Sequence, residues 1–234
     1  MQLEVIGSSP AWPNPGGACS GYLVDRRLLL DCGPGVLSKL REREPWPSVE
    51  AIAITHLHLD HWGDVIPWVW ASLFGPGRGS RPELWLPPGS LAELRPILAR
   101  LGNEDMLERA FDVAEYQPAA AFVAAGLEVT ALPVVHYDID AYGFRVVGER
   151  TLGYSGDTTL CSGLREIAGG ADALVMECNA HQDESPVHLT FGDVGTIRSE
   201  FPKLPLVITH RAHDVDDGGL VKVHVPEDFE TVLV

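Results

Sequence analysis

Short apolar runs alternate along the chain with longer segments whose apolar positions recur at helical spacing. Leu3 to Ile6, Leu28 to Cys32, Ala51 to Thr55, Glu83 to Leu86 and Phe111 to Tyr116 read as strands of the first half. Leu127 to Val135, Tyr142 to Val147, Thr151 to Tyr154, Ala173 to Glu177 and Leu206 to Thr209 read as strands of the second. Between them, Val36 to Glu42, Asp60 to Leu73, Ser90 to Leu101, Leu160 to Ala168 and Phe191 to Glu200 carry helical patterns. Strands that alternate with helices in two similar halves predict a mixed α/β fold.

No point along the 234 residues starts a second core, so residues 1–234 are expected to form one domain. The longest linker-like stretch, Gly75 to Pro82, reads as an insert between a helix and a strand. A hydrophobic content of 45% is ordinary for a globular protein. The most apolar segment, Val65 to Phe74, is too short to span a bilayer and contains Pro67. The opening Met1 to Ile6 has neither the basic flank nor the long apolar core of a signal peptide. Cys19, Cys32, Cys161 and Cys178 form no paired motif and read as thiols of a reducing compartment. A cytoplasmic protein that does not enter membranes is expected.

The chemistry is concentrated behind the run Ala51 to Thr55. His56, His58, Asp60 and His61 place four metal-ligand side chains within six residues. Buried together without a cation, such groups would be costly. Neutral imidazoles and a carboxylate suit zinc, manganese or iron. In an extended turn His56 and His58 point to one side, while Asp60 and His61 swing to another as a helix begins, which points to a pair of metals. His136, Asp157 and His210 each follow a further strand-like run, at the kind of strand end where sites collect.

These residues, with Asp31-Cys32-Gly33, Ser155-Gly156-Asp157-Thr158, His188-Leu189-Thr190 and Thr209-His210, resemble the metallo-beta-lactamase superfamily, and within it the ribonuclease Z-like phosphodiesterase branch. The resemblance runs from Leu3 through His213. It implies a four-layer αβ/βα sandwich. It assigns His56, His58 and His136 to one divalent ion, Asp60, His61 and His210 to the other, and Asp157 to a bridge between them. Zinc is the first choice, with manganese or iron as alternatives. Two such ions can hold one hydroxide between them and clamp the attacking and leaving oxygens of an in-line displacement.

The same resemblance implies that Asp60 and His188 act in catalysis, Asp60 doubling as a ligand and His188 serving the leaving group. The alternative for His188 is a cap on the following helix. Asp31 is expected to orient a ligating histidine, and His213 and Asp214, just after a ligand, either line the pocket or belong to a solvated loop. His181 and His224 match no motif and read as structural or surface residues.

Charge narrows the substrate. With 33 acids against 17 bases the formal net charge is −16, and no basic stripe of the kind that grips nucleic acid is present. Nor does the segment before His136 hold an obvious basic arm; Arg78 and Arg81 are the only local candidates. A small phosphodiester, such as a cyclic nucleotide or a cyclic sugar phosphate, is therefore expected over a transfer-RNA precursor. The rival readings are a tRNA 3′-processing endonuclease, a lactonase or thioesterase on the same metals, and a metal-binding protein without catalysis. Trp62, Trp68 and Trp70 offer either a stacking surface for a base or core and dimer contacts. An apolar exposed side on Val65 to Phe74 would make a homodimer across that helix.

Overall fold

The strand runs are uniformly apolar because most of them are buried on both faces. The computed structural model describes residues 1–102, 104–179, 185–212, 223–227 and 229–234. In chain order the first half comprises β1 (Gln2–Gly7), β2 (Gly21–Val24), β3 (Leu28–Leu30), α1 (Val36–Arg41), β4 (Ala51–Ala53), α2 (Leu59–Trp62), α3 (Val65–Phe74), β5 (Glu83–Leu86), α4 (Ser90–Arg100), α5 (Leu107–Ala110) and β6 (Asp112–Glu115). The second comprises β7 (Ala121–Ala124), β8 (Leu127–His136), β9 (Ile139–Val147), β10 (Thr151–Tyr154), α6 (Ser162–Gly169), β11 (Ala173–Glu177), α7 (Phe191–Glu200), β12 (Leu206–Thr209), β13 (Val223–His224) and β14 (Thr231–Leu233).

Among the described residues these strands form two seven-stranded sheets, in the orders β14-β1-β2-β3-β4-β5-β6 and β13-β12-β11-β10-β9-β8-β7. Each sheet is antiparallel at one end and parallel at the other. Strands β3 to β6 are mutually parallel, as are β10 to β13.

Three apolar layers separate four layers of structure, and the alternation along single strands shows how. In β3, Leu28 and Leu30 face the opposite sheet while Leu29 faces the helices. In β4, Ala51 and Ala53 face the opposite sheet and Ile52 the helices. In β11, Ala173 and Val175 point to the central layer, and Leu174 and Met176 to the core beneath α6 and α7. The small Ala51 and Ala53 stand in the central layer with Tyr22, Phe144 and Tyr154. Large rings in that layer pack against small side chains. This is the α/β four-layer sandwich expected from the sequence.

The structure divides the expected helix from Asp60 to Leu73. Its break falls at Gly63 and Asp64, where the Asp64 N–H donates to Cys32 O at 3.0 Å and its carboxylate accepts from Leu37 N at 2.8 Å. A side chain at Gly63 would also press on Pro34. Helix α6 begins at Ser162, later than the expected Leu160, because Cys161 Sγ is the group that accepts from Leu164 N. Strands β2, β7, β13 and β14 and the short α5 had no separate sequence signal. The Gly75 to Pro82 stretch is a loop whose Arg81 is tied to Asp112 at 2.9 Å and to the carbonyls of Glu108 and Phe111. It forms no arm. No described helix is long and apolar enough to cross a membrane.

Candidate metal centre

The expected ligands come together at strand ends of both sheets. The segment after β4 supplies His56, His58, Asp60 and His61; β8 ends in His136; Asp157 follows β10 and His210 follows β12. Strand β9 runs antiparallel to both β8 and β10, so β8 and β10 open in the same direction.

Three groups form among the described residues: His56, His58 and His136; Asp60, His61, Asp157 and His210; and, sharing residues with both, His136, Asp157, Glu177 and His188, with ligand atoms in each within 4.8 Å of one another. His61 Nε2 is 3.3 Å from Asp60 Oδ2 and 3.3 Å from Asp157 Oδ1, and His210 Nε2 is 3.3 Å from Asp157 Oδ2. Ligand atoms around a tetrahedral zinc, at about 2.0–2.1 Å from it, stand roughly 3.3 Å apart. His136 Nε2 and His58 Nδ1 face each other at 3.0 Å. Asp157 Oδ2 is also 3.8 Å from His136 Nε2, so its carboxylate stands between the first two groups.

The other ring nitrogens decide which lone pairs remain. His61 Nδ1 is 2.7 Å from Asp31 Oδ2, and His136 Nδ1 donates to Val187 O at 2.8 Å. His56 Nδ1 meets Thr55 Oγ1 at 3.0 Å and His210 Nδ1 meets Ser20 Oγ at 3.4 Å. Asp31 is itself held by Thr55 N at 2.8 Å and the Tyr154 hydroxyl at 2.6 Å. The Nε2 atoms of His56, His61 and His210 are buried and have no hydrogen-bond partner. Buried nitrogens aimed at one another without a donor are costly unless a cation takes their lone pairs. The donor set therefore fits a pair of divalent ions.

Electrostatics prepares the same state. Burial holds the His56, His58 and His210 imidazoles below the usual histidine range, and pushes His136 down to about 4. All four are neutral at pH 7, as ligation requires. Burial opposes charge on His61 as well, but the facing Asp157 and Asp31 carboxylates outweigh it and raise that imidazole. Burial would raise Asp157, yet His210 and His61 hold it well below the carboxylate range.

Gly33 allows the loop after β3 to reach the ligands. A Cβ there would overlap the Asp60 carbonyl and the Cys19 side chain. Gly33→Ala is expected to lower stability by about 1–3 kcal/mol and to weaken metal retention, because the backbone that must yield carries Asp60. Urea denaturation with metal titration checks both; an unchanged midpoint would contradict the overlap.

His188 stands beside the first two groups. Its Nδ1 is 2.9 Å from Glu177 Oε1 and 3.9 Å from Asp157 Oδ2, and its ring stacks on His210 at 5.5 Å. It does not cap α7, for Thr190 and Asp193 form a reciprocal capping box there. Burial opposes charge on His188, but the hydrogen bond it donates to the Glu177 carboxylate prevails and raises it. Glu177 was missed from sequence. Burial pushes its carboxyl up to about 7, and it accepts from Thr158 N at 2.8 Å. Its signal was an acid closing the wholly buried run Ala173 to Met176.

The cavity above these residues measures about 380 Å³ and is lined by Ala11, Pro34, Leu59 and Tyr137 besides the ligands and His188; among the described residues no Lys or Arg lines it. Trp62 and Trp68 are buried in the core and cannot stack on a base, and Trp70 is half-exposed against Phe74. The aromatic ring at the site is Tyr137, 4.8 Å from His136 and 5.5 Å from His58. His213 lies outside the described residues, as does His181; His224 pairs with Glu230 at 2.7 Å.

The family model described as a Beta-lactamase superfamily domain matches residues 26–210. A probable metallo-hydrolase of Bacillus subtilis, YhfI, is 28% identical over 224 residues, covering 91% of this chain and 88% of that protein. A ribonuclease Z of Mycolicibacterium paratuberculosis is 31% identical over 195 residues, covering 75% and 69%. The crystal structure of YhfI superposes with a TM-score of 0.83 at 24% identity over 99% of each chain. That of the short form of human tRNase Z does so with a TM-score of 0.74 at 22% identity, over 100% of this chain and 99% of that one. The chain belongs to the beta-lactamase superfamily, and its fold, ligand set and relatives are those of a metal-dependent hydrolase.

Proposed function

We propose that the protein is a dinuclear metal-dependent phosphodiesterase acting on a small diester, such as a cyclic nucleotide or a cyclic sugar phosphate. The observation that carries this reading is the pairing of two ligand groups, with Asp157 between them, and a further histidine, His188, that stands outside those two groups and faces the same cavity. His56, His58 and His136 would hold one ion and Asp60, His61 and His210 the other, with zinc matching the donor set. When bound, the pair supplies Lewis acidity to the phosphoryl oxygens and acidifies a water.

The chain's own residues do the rest. Asp31, fixed by Thr55 and Tyr154, keeps the proton of His61 on Nδ1 and its Nε2 turned to the metal. Glu177 does the same for His188, so that the proton available to a leaving oxygen sits on His188 Nε2. The apolar walls Ala11, Pro34 and Leu59 limit water around the reacting group. Asp31→Ala is expected to lower metal affinity roughly 10–100-fold, read by competition with a chelating dye; unchanged affinity would remove Asp31 from the role of orienting the ligand.

The substrate is tested by a panel of bis-p-nitrophenyl phosphate, cyclic nucleotides, a lactone and precursor transfer RNA on zinc-loaded protein. Hydrolysis of the small diesters is expected to exceed cleavage of the RNA. RNA binding should stay weak at low salt, since a net charge of −16 repels a polyanion and no lysine or arginine is among the described residues lining the cavity. Salt-sensitive RNA inhibition with cleavage at the 3′ trailer would establish the endonuclease instead, and turnover of the lactone alone the carbonyl hydrolase. The same reading includes a cytoplasmic homodimer that buries the half-exposed Trp70 and exposed Phe74 of α3, a state that sedimentation measures directly.

A further inference from the structure

His58 is a wall shared by two cavities. One is the cavity over the ligands; the other, of about 340 Å³, lies between the Pro87-Pro88 turn after β5, the start of α4 and the β8–β9 hairpin. The second cavity is apolar along Leu57, Pro87 and Ile139, and three carboxylates border it: Glu93 on α4, and Asp138 and Asp140 on the hairpin. Among the described residues neither Lys nor Arg borders either cavity.

The hairpin is built to stand between them. Strands β8 and β9 pair through His136 and Ile139, leaving a two-residue turn of Tyr137 and Asp138. Tyr137 adopts a left-handed backbone with φ 48°. A bulky residue rarely accepts that conformation, and such strain gathers where a side chain must be aimed. Its ring leans edge-on against His58 and His136, on the side of the ligands. Asp138, the next residue, lines the second cavity. His58 lines both cavities, so the acidic space adjoins the one over the ligands.

We propose that this second cavity is the subsite for the organic part of the substrate, and that it selects a positively charged or N–H-donating group while rejecting an anionic one. The assignment rests on the phosphodiesterase reading for the position of the phosphate. A single like charge placed about 6 Å from one carboxylate in a partly solvated cleft costs roughly tenfold in affinity, and an ammonium gains a comparable factor. One phosphate would sit over the ligand groups beside His188, and the adjoining acidic space disfavours a second. Apolar walls at Pro87 and Ile139 accept the hydrocarbon part of the group.

The test compares three p-nitrophenyl phosphodiesters whose second ester group is 2-aminoethyl, propyl or 2-carboxyethyl. On zinc-loaded protein kcat/KM is expected to fall in that order, and the aminoethyl-to-propyl ratio to drop roughly tenfold in the Asp138→Asn, Asp140→Asn double variant. Glu93→Gln, on a separate helix, should lower the ratio in the same direction and decides the matter if the hairpin variant loses zinc. Equal kcat/KM for the three esters, or a ratio indifferent to the variants, overturns the subsite. If none of the esters is hydrolysed the phosphodiesterase reading fails, and calorimetric binding of phosphoethanolamine against propyl phosphate judges the subsite alone. Tighter binding of the former, lost in the variants, upholds it, and equal binding overturns it.

Discussion

Asp157→Ala is expected to strip metal from both ligand groups and to reduce activity to background. The carboxylate lies 3.3 Å from His61 Nε2 and His210 Nε2 and 3.8 Å from His136 Nε2, so its loss opens each group at once. It also removes the main negative charge facing four buried imidazoles. Neighbouring His56 and His210 stay neutral through burial, but two cations held close together would face each other with no carboxylate between them. Metal content measured by elemental analysis should fall from about two ions per chain to well below one after gel filtration. Replacing His58, which belongs to one group, should leave the other partly filled. Both sites retained at full occupancy in Asp157→Ala would refute the bridge, as would an unaltered protein that binds no zinc or manganese on reconstitution.

Legibility of the site followed from where its residues sit. His56 to His61 are adjacent in sequence because one strand end supplies four ligands, so local spacing carried the signal. His136, Asp157 and His210 were readable because each closes a strongly apolar strand. Glu177 also closes such a strand but carries no motif beside it. Its meaning arises only when the chain brings His188 to 2.9 Å, a contact that composition does not encode. Tyr137 was unread for a similar reason: its role comes from a left-handed turn, φ 48°, between two strands whose register had to be known. Of the two readings of the tryptophans, Trp62 and Trp68 bear out the core. Trp62 and Trp68 follow the ligands closely, but α2 and α3 turn them into the core beneath the first sheet. Edge strands β13 and β14 escaped because they are short and only partly buried, and alternation is a weak signal under those conditions.

His188→Ala is expected to keep both metals and lose roughly 10²–10⁴ in kcat on a diester with a poor leaving group. That outcome is expected from the imidazole's place outside the two main ligand groups: its Nδ1 is engaged by Glu177 at 2.9 Å and reaches Asp157 only at 3.9 Å. With that nitrogen committed, Nε2 is the one left to donate to the oxygen that departs. The loss should therefore shrink for p-nitrophenyl esters, whose oxygen leaves without help, and grow for alkyl esters and cyclic nucleotides. Glu177→Gln should produce a smaller loss of the same pattern, since an amide can still hold the ring but no longer stabilises its protonated form. Both variants must be compared at equal metal content, with KM and kcat separated on each substrate. Turnover unchanged on an alkyl ester would remove His188 from the chemistry, whereas metal lost along with activity would make it a ligand.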